Sequence, residues 1–443
     1  MRQAWLAAFV LAACAALAPA PAGAAKVYID VDAPSFRRIN AATPAIKHLG
    51  GPEDQALAQE IVGVMGRDLQ GSGYFEVQPA ASYMDDPRKG PLGASSIDFR
   101  KWSLIGTEVL VVGGYQSKGD TVSLDLRLYD VAQGKEILRR EYASSRSDVP
   151  TAVHRFANEV VYQMTGQRGI FETKIAYVST QTGAKELWAM NFDGSSPRQL
   201  TKSGTVTVSP SWSPNGKILA FTSYRDAFPW IYTMEVDRLV QRPFINQKGL
   251  NIGARWAPKT NRLAVTLSKD GNSELYSVNA DGGGLRRLTY NWGIDVSPAW
   301  SPDETRIVFV SDRSGSPHLY MMNAAGEGEP KRLTFSGTFI SSPAWSPKGD
   351  WIAFAARVPR MGFQIFLISP DGLQLRQLTS LTSDNESPSW SPDGRFIAFN
   401  SNRSGGRQEI FAIEVESGAV RQLTSGPGEK TMPAWSPVAA EAF

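Results

Sequence analysis

The sequence is poor in the residues that most active-site chemistry needs. Its 443 residues include one cysteine and three histidines. The cysteine, Cys14, lies in an N-terminal stretch that reads as an export signal, so the chain beyond it has no thiol. That excludes a disulfide and a cysteine-ligated metal. His48, His154 and His318 fall in an N-terminal loop region, a helix and a repeat unit. None has another histidine or a spaced carboxylate in a metal-ligand pattern, so each reads as an ordinary core or surface residue. There is no G-x-S-x-G elbow and no Walker A loop, and Gly113-Gly114 and Gly282-Gly283-Gly284 sit in strand or turn contexts. No cofactor and no metal are expected. The formal net charge is +3, with 46 basic against 43 acidic residues, so bulk electrostatics does not point to nucleic acid. After residue 25 no apolar run approaches the roughly 18 residues of a spanning helix.

Residues 1–24 read as a signal peptide. Arg2 is a short basic start, Ala4 to Ala18 an apolar core, and Ala22-Gly23-Ala24 supplies small residues for cleavage before Ala25. No Arg-Arg pair occurs in it, so general secretion and a periplasmic destination are expected. Leu11-Ala12-Ala13-Cys14 also has the small-residue pattern of a lipidation site, although the signal before it is short. The mass of the mature N-terminus decides between the two.

From Ala25 the pattern alternates strands and helices. Ala25, Lys26, Val27, Tyr28, Ile29 and Asp30 form a short alternating stretch. It is either the first strand of the domain or an extended terminus free to add to a partner's sheet. A strand near Arg38–Ala42 follows. Pro52-Glu53-Asp54 opens a helix in which Leu57, Ile61, Val64, Met65 and Leu69 share one face, closed by Gly71 and Gly73. Next come a strand (Tyr74–Val77), a loop, a short helix (Asp98–Leu104) and a buried strand (Thr107–Tyr115). A hairpin whose first arm carries Val122, Leu124, Leu126 and Leu128 precedes a second helix from about Pro150 to Met164. Residues 25–168 therefore read as an α/β domain on one mixed sheet.

From residue 169 the pattern is all strand. Pro298-Ala299-Trp300-Ser301-Pro302-Asp303 recurs around Trp212, Trp256, Trp345, Trp390 and Trp435, at spacings of 44, 44, 45, 45 and 45 residues. Each unit carries an apolar-aromatic pair such as Leu319-Tyr320, a hairpin turn and, in most units, a closing Leu-Thr such as Leu333-Thr334. The unit at Pro243-Phe244 departs from this close. Four short strands per repeat of this length predict a propeller blade. The first unit lacks a preceding W-S-P, and the last W-S-P lacks a following blade. The halves complement each other, predicting a six-bladed β-propeller over 169–443, closed by a C-terminal strand that completes the first blade.

Acidic residues recur at turn positions (Asp193, Asp281, Asp303, Asp371, Asp393), as do Ser-Asp-Arg-Ser-Gly at 311–315 and Ser-Asn-Arg-Ser-Gly at 401–405, which suits a structural turn role. What varies from blade to blade is the stretch just before each W-S-P. Val208, Ser209, Leu250, Asn251, Ile252, Asp295, Val296, Ser297, Ile340, Ser341, Ser342, Asn385, Glu386, Ser387, Thr431 and Met432 converge on one rim of the channel. A variable rim on a repeating scaffold is where a binding surface is expected.

An exported α/β domain followed by six W-S-P blades resembles the TolB family, the periplasmic propellers of the Tol–Pal envelope system. Specific matches are Pro52-Glu53-Asp54, Asp68-Leu69-x-x-Ser72-Gly73, Trp102-Ser103-x-x-Gly106, Thr173-Lys174-Ile175-Ala176-Tyr177-Val178 and Pro433-Ala434-Trp435-Ser436-Pro437. The resemblance implies a non-catalytic, monomeric adapter that keeps the outer membrane intact and constricting at division. Its rim residues would bind the peptidoglycan-associated lipoprotein Pal, and Ala25 to Asp30 would bind the inner-membrane-anchored TolA. Two rim loops depart from the family: Lys248–Gly253 carries no histidine, and Val296-Ser297 replaces a Thr-Glu pair. The competing reading is a propeller hydrolase or lyase acting on cell-wall or polysaccharide material, which requires facing carboxylates or clustered His and Arg. A propeller regulating a peptidase in trans is a third reading, against which the absence of a hydrolase domain counts.

Overall fold

A computed structural model describes residues 37–337 and 339–438. The signal peptide and the Ala25–Asp30 segment expected to bind TolA lie outside the described residues.

The N-terminal part contains β1 (Ile39–Ala42), β2 (Lys47–Gly50), α1 (Gln55–Gly71), β3 (Phe75–Val77), α2 (Phe99–Leu104), β4 (Val109–Lys118), β5 (Thr121–Asp130), β6 (Lys135–Ser145) and α3 (Val149–Thr165). α1 starts where the Asp54 carboxylate accepts a 2.9 Å hydrogen bond from the Leu57 amide, which satisfies one of the free donors of the first turn. The five apolar residues at helical spacing are all buried. α3 stops at Gly166, whose φ of 71° is the left-handed conformation that glycine enters at least cost. The strands form one mixed sheet in the order β3-β1-β4-β5-β6. β1 is parallel to both of its neighbours, and β4, β5 and β6 form an antiparallel meander. Helices α1 and α3 pack together over one face. Trp102 of α2, with Ile97 and Tyr83, covers the other. β2 was not anticipated: it runs parallel to β4, with Lys47 opposite Gly114 and His48 opposite Tyr115.

The propeller follows as expected: six four-stranded sheets. The first strand of each blade touches the first strand of the next, so six strands ring the central channel. These inner strands are Thr207–Trp212, Asn251–Trp256, Asp295–Trp300, Ile340–Trp345, Asn385–Trp390 and Lys430–Trp435. The last does not start a blade of its own. It pairs antiparallel with β7 (Lys174–Ser179), which β8 (Glu186–Asn191) and β9 (Arg198–Gln199) complete into the first blade. Trp435 Nε1 donates to Thr173 Oγ1 at 2.9 Å, and Lys174 N donates to Ser436 Oγ at 2.9 Å, so residues 262 apart close the ring.

The repeated motifs have physical jobs. All six tryptophans are buried between blades, and Trp300 Nε1 donates 3.1 Å to the Arg255 carbonyl of the preceding blade. The threonine of each Leu-Thr pair is a peg. Thr289 Oγ1 accepts from Leu275 N at 2.9 Å and donates to buried Glu274 at 2.6 Å, and Thr201 and Thr424 do the same with Glu186 and Glu409. In the fourth blade His318 stands at this position, 3.2 Å from Thr334 Oγ1, and burial holds its pKa below the ordinary value. The arginines of the Ser-x-Arg turns fold back onto their own blades, Arg313 to Ser311 and Asp295, Arg403 to Ser401 and Asn385.

The two parts share one core. Ile61, Val153 and Phe156 belong to the same buried cluster as Phe192, Phe396, Ile410 and Trp435. The contact falls on the seam between the first and sixth blades. Arg395 lies 3.8 Å over the Tyr74 ring and donates to Glu414 at 3.0 Å, and Arg38 reaches the same carboxylate at 3.2 Å. Asp68 sits under this seam with Oδ2 2.7 Å from His154 Nδ1, and His154 meets Phe192 edge to face. Burial raises the Asp68 pKa to about 6, against the opposing pull of His154.

Candidate docking face and channel

Antiparallel strands put alternate loops on opposite faces. The loops leading into each inner strand share a face with the hairpins between second and third strands. Amide-to-carbonyl bonds stitch them together, Tyr224 to Val206, Ser268 to Leu250, Asp312 to Ile294 and Arg357 to Phe339. The W-S-P turns occupy the opposite face, where the α/β domain sits.

Fifteen of the sixteen expected rim residues divide into three groups. Val208, Ile252, Val296, Ser341, Glu386 and Thr431 are half-buried on the channel wall. Ser209, Ser297, Ser342, Ser387 and Met432, one residue further on, line the channel cavity itself. Asn251, Asp295, Ile340 and Asn385 are a correction, since their exposures are 0%, 0%, 1% and 0% and their side chains cannot meet a partner. They are internal pegs. Asn251 Nδ2 donates to the carbonyls of Gln247 (2.7 Å), Gly249 and Pro229 (both 3.1 Å). Asp295 accepts from Arg313 at 2.7 Å, and Asn385 accepts from Arg403 at 2.6 Å. Ile340 packs in the core between the fourth and fifth blades. Leu250 remains exposed on the loop face.

The outer part of that face carries large exposed side chains, of which Tyr290, Trp292, Phe335, Phe228 and Leu381 lie outside the expected rim. Tyr290 is 74% exposed, Trp292 77% and Phe335 76%, with Phe228, Ile294, Phe339 and Leu381 also open to solvent. Arg287 lies 4.5 Å over the Tyr290 ring and Arg332 5.2 Å over Phe335. The loop holding Trp292 is pinned on both sides. Asn291 N donates to Glu274 at 2.8 Å, Asn272 Nδ2 donates to the Asn291 carbonyl at 3.0 Å, and Ile294 N donates to Asp312 at 2.6 Å. The aromatics are thus posed before any partner arrives, which lowers the ordering cost of binding. Their signal in the sequence is positional: Tyr290 and Phe335 follow directly on the closing Leu-Thr, outside any blade pattern.

The channel is not uniform in charge. Glu386 stands near the start of the inner strand Asn385–Trp390, next to the loop face, with its pKa raised by burial and by nearby Asp384. On the W-S-P side a cavity of about 550 Å³ opens, bounded by the motif residues of all six inner strands and by Arg255. Among the described residues no group of three or more His, Cys, Asp or Glu is arranged to hold a metal, and no helix is long and apolar enough to cross a membrane.

Residues 161–439 match the family model of the TolB beta propeller domain, and residues 27–137 that of the TolB amino-terminal domain. Over 196 residues the chain is 39% identical to the Tol-Pal system protein TolB of Syntrophotalea carbinolica, covering 44% of this chain and 46% of that one. Over 206 residues it is 38% identical to the Tol-Pal system protein TolB of Desulfosudis oleivorans, covering 46% and 47%. The chain spans about half the length of the curated relatives it matches. Among solved structures, the crystal structure of TolB from Acinetobacter baumannii superposes with a TM-score of 0.75 at 27% identity, covering 90% of this chain and 97% of that one. A six-bladed propeller closed by its last strand, joined to a mixed α/β domain and matched by both family models, establishes that the chain belongs to the TolB family.

Proposed function

We propose that the protein is a non-catalytic periplasmic adapter of the Tol–Pal system. In this reading residues 169–443 form the propeller that docks Pal on its loop face, and residues 25–168 form the domain that presents Ala25 to Asp30 to TolA. It works as a monomer, with outer-membrane integrity and constriction at division as the outcome. The observation that carries the reading is the posed aromatic group Tyr290, Trp292 and Phe335, flanked by Ile294, Phe339 and Leu381, on one face. Exposed apolar residues in such a group mark an interaction surface, and Trp and Tyr supply most of the energy at such surfaces. Of the rim expected from sequence, Val208, Ile252, Val296, Ser341, Glu386 and Thr431 form the inner edge of the proposed footprint, with Leu250 beside them. The curated relatives bear the name of the same system.

The test is capture of Pal and TolA by the purified mature protein. Trp292→Ser with Phe335→Ser should weaken Pal binding at least tenfold with an unchanged melting temperature. A variant beginning after Asp32 should bind Pal normally and lose TolA. Normal Pal binding by the double variant refutes the docking face, and normal TolA binding by the shortened chain refutes the terminal assignment.

A further inference from the structure

We propose that the W-S-P half of the channel is a binding site for a small oxyanion, a carboxylate or a phosphate, with Arg255 as its counter-ion. The residue before the tryptophan is Ser211, Ala299, Ala344, Ser389 or Ala434 in five of the inner strands and Arg255 in the sixth. One cation therefore breaks a ring of small neutral side chains. No acidic residue lines the cavity. Arg255 donates only through Nη1, at 3.3 Å to the carbonyls of Pro210 and Ala254, and no carboxylate lies within ion-pair distance of it among the described residues. Elsewhere in this propeller, Arg287, Arg313, Arg395 and Lys430 each meet a carboxylate, Glu274, Asp295, Glu414 and Glu409 respectively. A guanidinium taken from water without a counter-charge is costly, and an anion entering the cavity removes that cost.

A second observation points the same way. The hydroxyls of Ser209, Ser297, Ser342 and Ser387 line the same cavity with no protein partner among the described residues. Each lies within a break in strand register and has a φ of 53–57°, which re-aims the side chain of a strand residue. Neutral donors around a fork-shaped cation suit planar or tetrahedral oxygen ligands. The volume of about 550 Å³ falls within the range of small-molecule sites and takes an organic acid or a phosphate ester. Glu386 is not among the lining residues.

Calorimetric titration of the full-length mature protein with sodium phosphate, and separately with sodium succinate, at constant ionic strength tests this. Saturable one-site binding of either anion is expected, weakened at least tenfold in Arg255→Gln and partly retained in Arg255→Lys. Which salt binds identifies the class. Absence of saturable binding by both, or equal affinity in Arg255→Gln, overturns the proposal. If Arg255→Gln does not fold, the wild-type melting temperature decides: it should rise in phosphate or succinate relative to chloride at equal ionic strength, and no rise refutes the site.

Discussion

Removing the side chain of Trp435 should open the ring at one place. The residue is 7% exposed, stacks on Phe396 at 6.5 Å and donates its indole N–H to Thr173. Trp435→Ala deletes a large buried side chain, which costs about 3–5 kcal/mol. It also removes a hydrogen bond worth about 1 kcal/mol. Trp256 is the internal control: at 8% exposed it is buried to the same degree, but its Nε1 has no hydrogen-bond partner. Trp256→Ala should therefore cost about 1 kcal/mol less. The sharper difference is spatial. Around Trp256 consecutive strands hold the blade together, whereas Trp435 anchors a strand whose partner is more than 250 residues away. In hydrogen exchange, Trp435→Ala should speed the amides of Lys430–Trp435 and Lys174–Ser179 while Thr207–Trp212 stays protected. A cycle of Trp435→Phe and Thr173→Val should return a coupling of about 1 kcal/mol. Uniform loss of protection around the ring, or no coupling in the cycle, would show that the seam is no special joint.

Two further outcomes follow from the domain contact. The Asp68 pKa is raised on folding, so its contribution to stability is present below the unfolded value of 3.8 and is lost as pH rises through about 6. Urea titrations from pH 4 to 8 should show wild type losing up to about 3 kcal/mol relative to Asp68→Asn; parallel curves refute this. Gly73 has φ 73°, and an added Cβ would lie 2.4 Å from Glu414 and 2.7 Å from Arg395. Gly73→Ala should cost at least about 2 kcal/mol, more than Gly183→Ala, where φ is 97° and nothing lies within 4 Å. Thermal melts of the two variants check the order.

Most of the architecture is legible because it is periodic. The tryptophan spacing defines the blades, and an opening half-blade with a closing half-blade defines the latch. β2 is not legible. Lys47-His48-Leu49-Gly50 has no alternation, and its pairing beside β4 depends on Gly114, opposite Lys47, which leaves room for Leu49, whose side chain lies 2.6 Å from where a Cβ would stand. The expected rim residues do not all reach the surface, for a local reason. Strand reasoning assigns alternate residues to alternate faces, and each inner strand breaks that rule with a left-handed residue such as Ser209 or Met432. Inward and interior positions therefore shift, and Asn251, Asp295, Ile340 and Asn385 fall inside rather than on the rim. Arg255 could have been noticed as the only charge in its column of the repeat, but the emptiness of its surroundings exists only in three dimensions.

Closing the first blade with the final strand also sets a timetable. A ribosome makes β7, β8 and β9 well before Lys430–Trp435, so the free edge of Lys174–Ser179 must wait while five further blades are synthesised. A waiting strand edge is a template for mispairing with other chains. Bringing ends this far apart in sequence together is slow, because closure entropy is lost before the contacts form. The α/β domain, finished before the propeller begins, shares its core with Ile175, Tyr177 and Phe192 and so steadies the waiting blade from one side. The seam thus makes the first domain a folding platform for the second, and Lys430–Trp435 decides whether the ring exists at all.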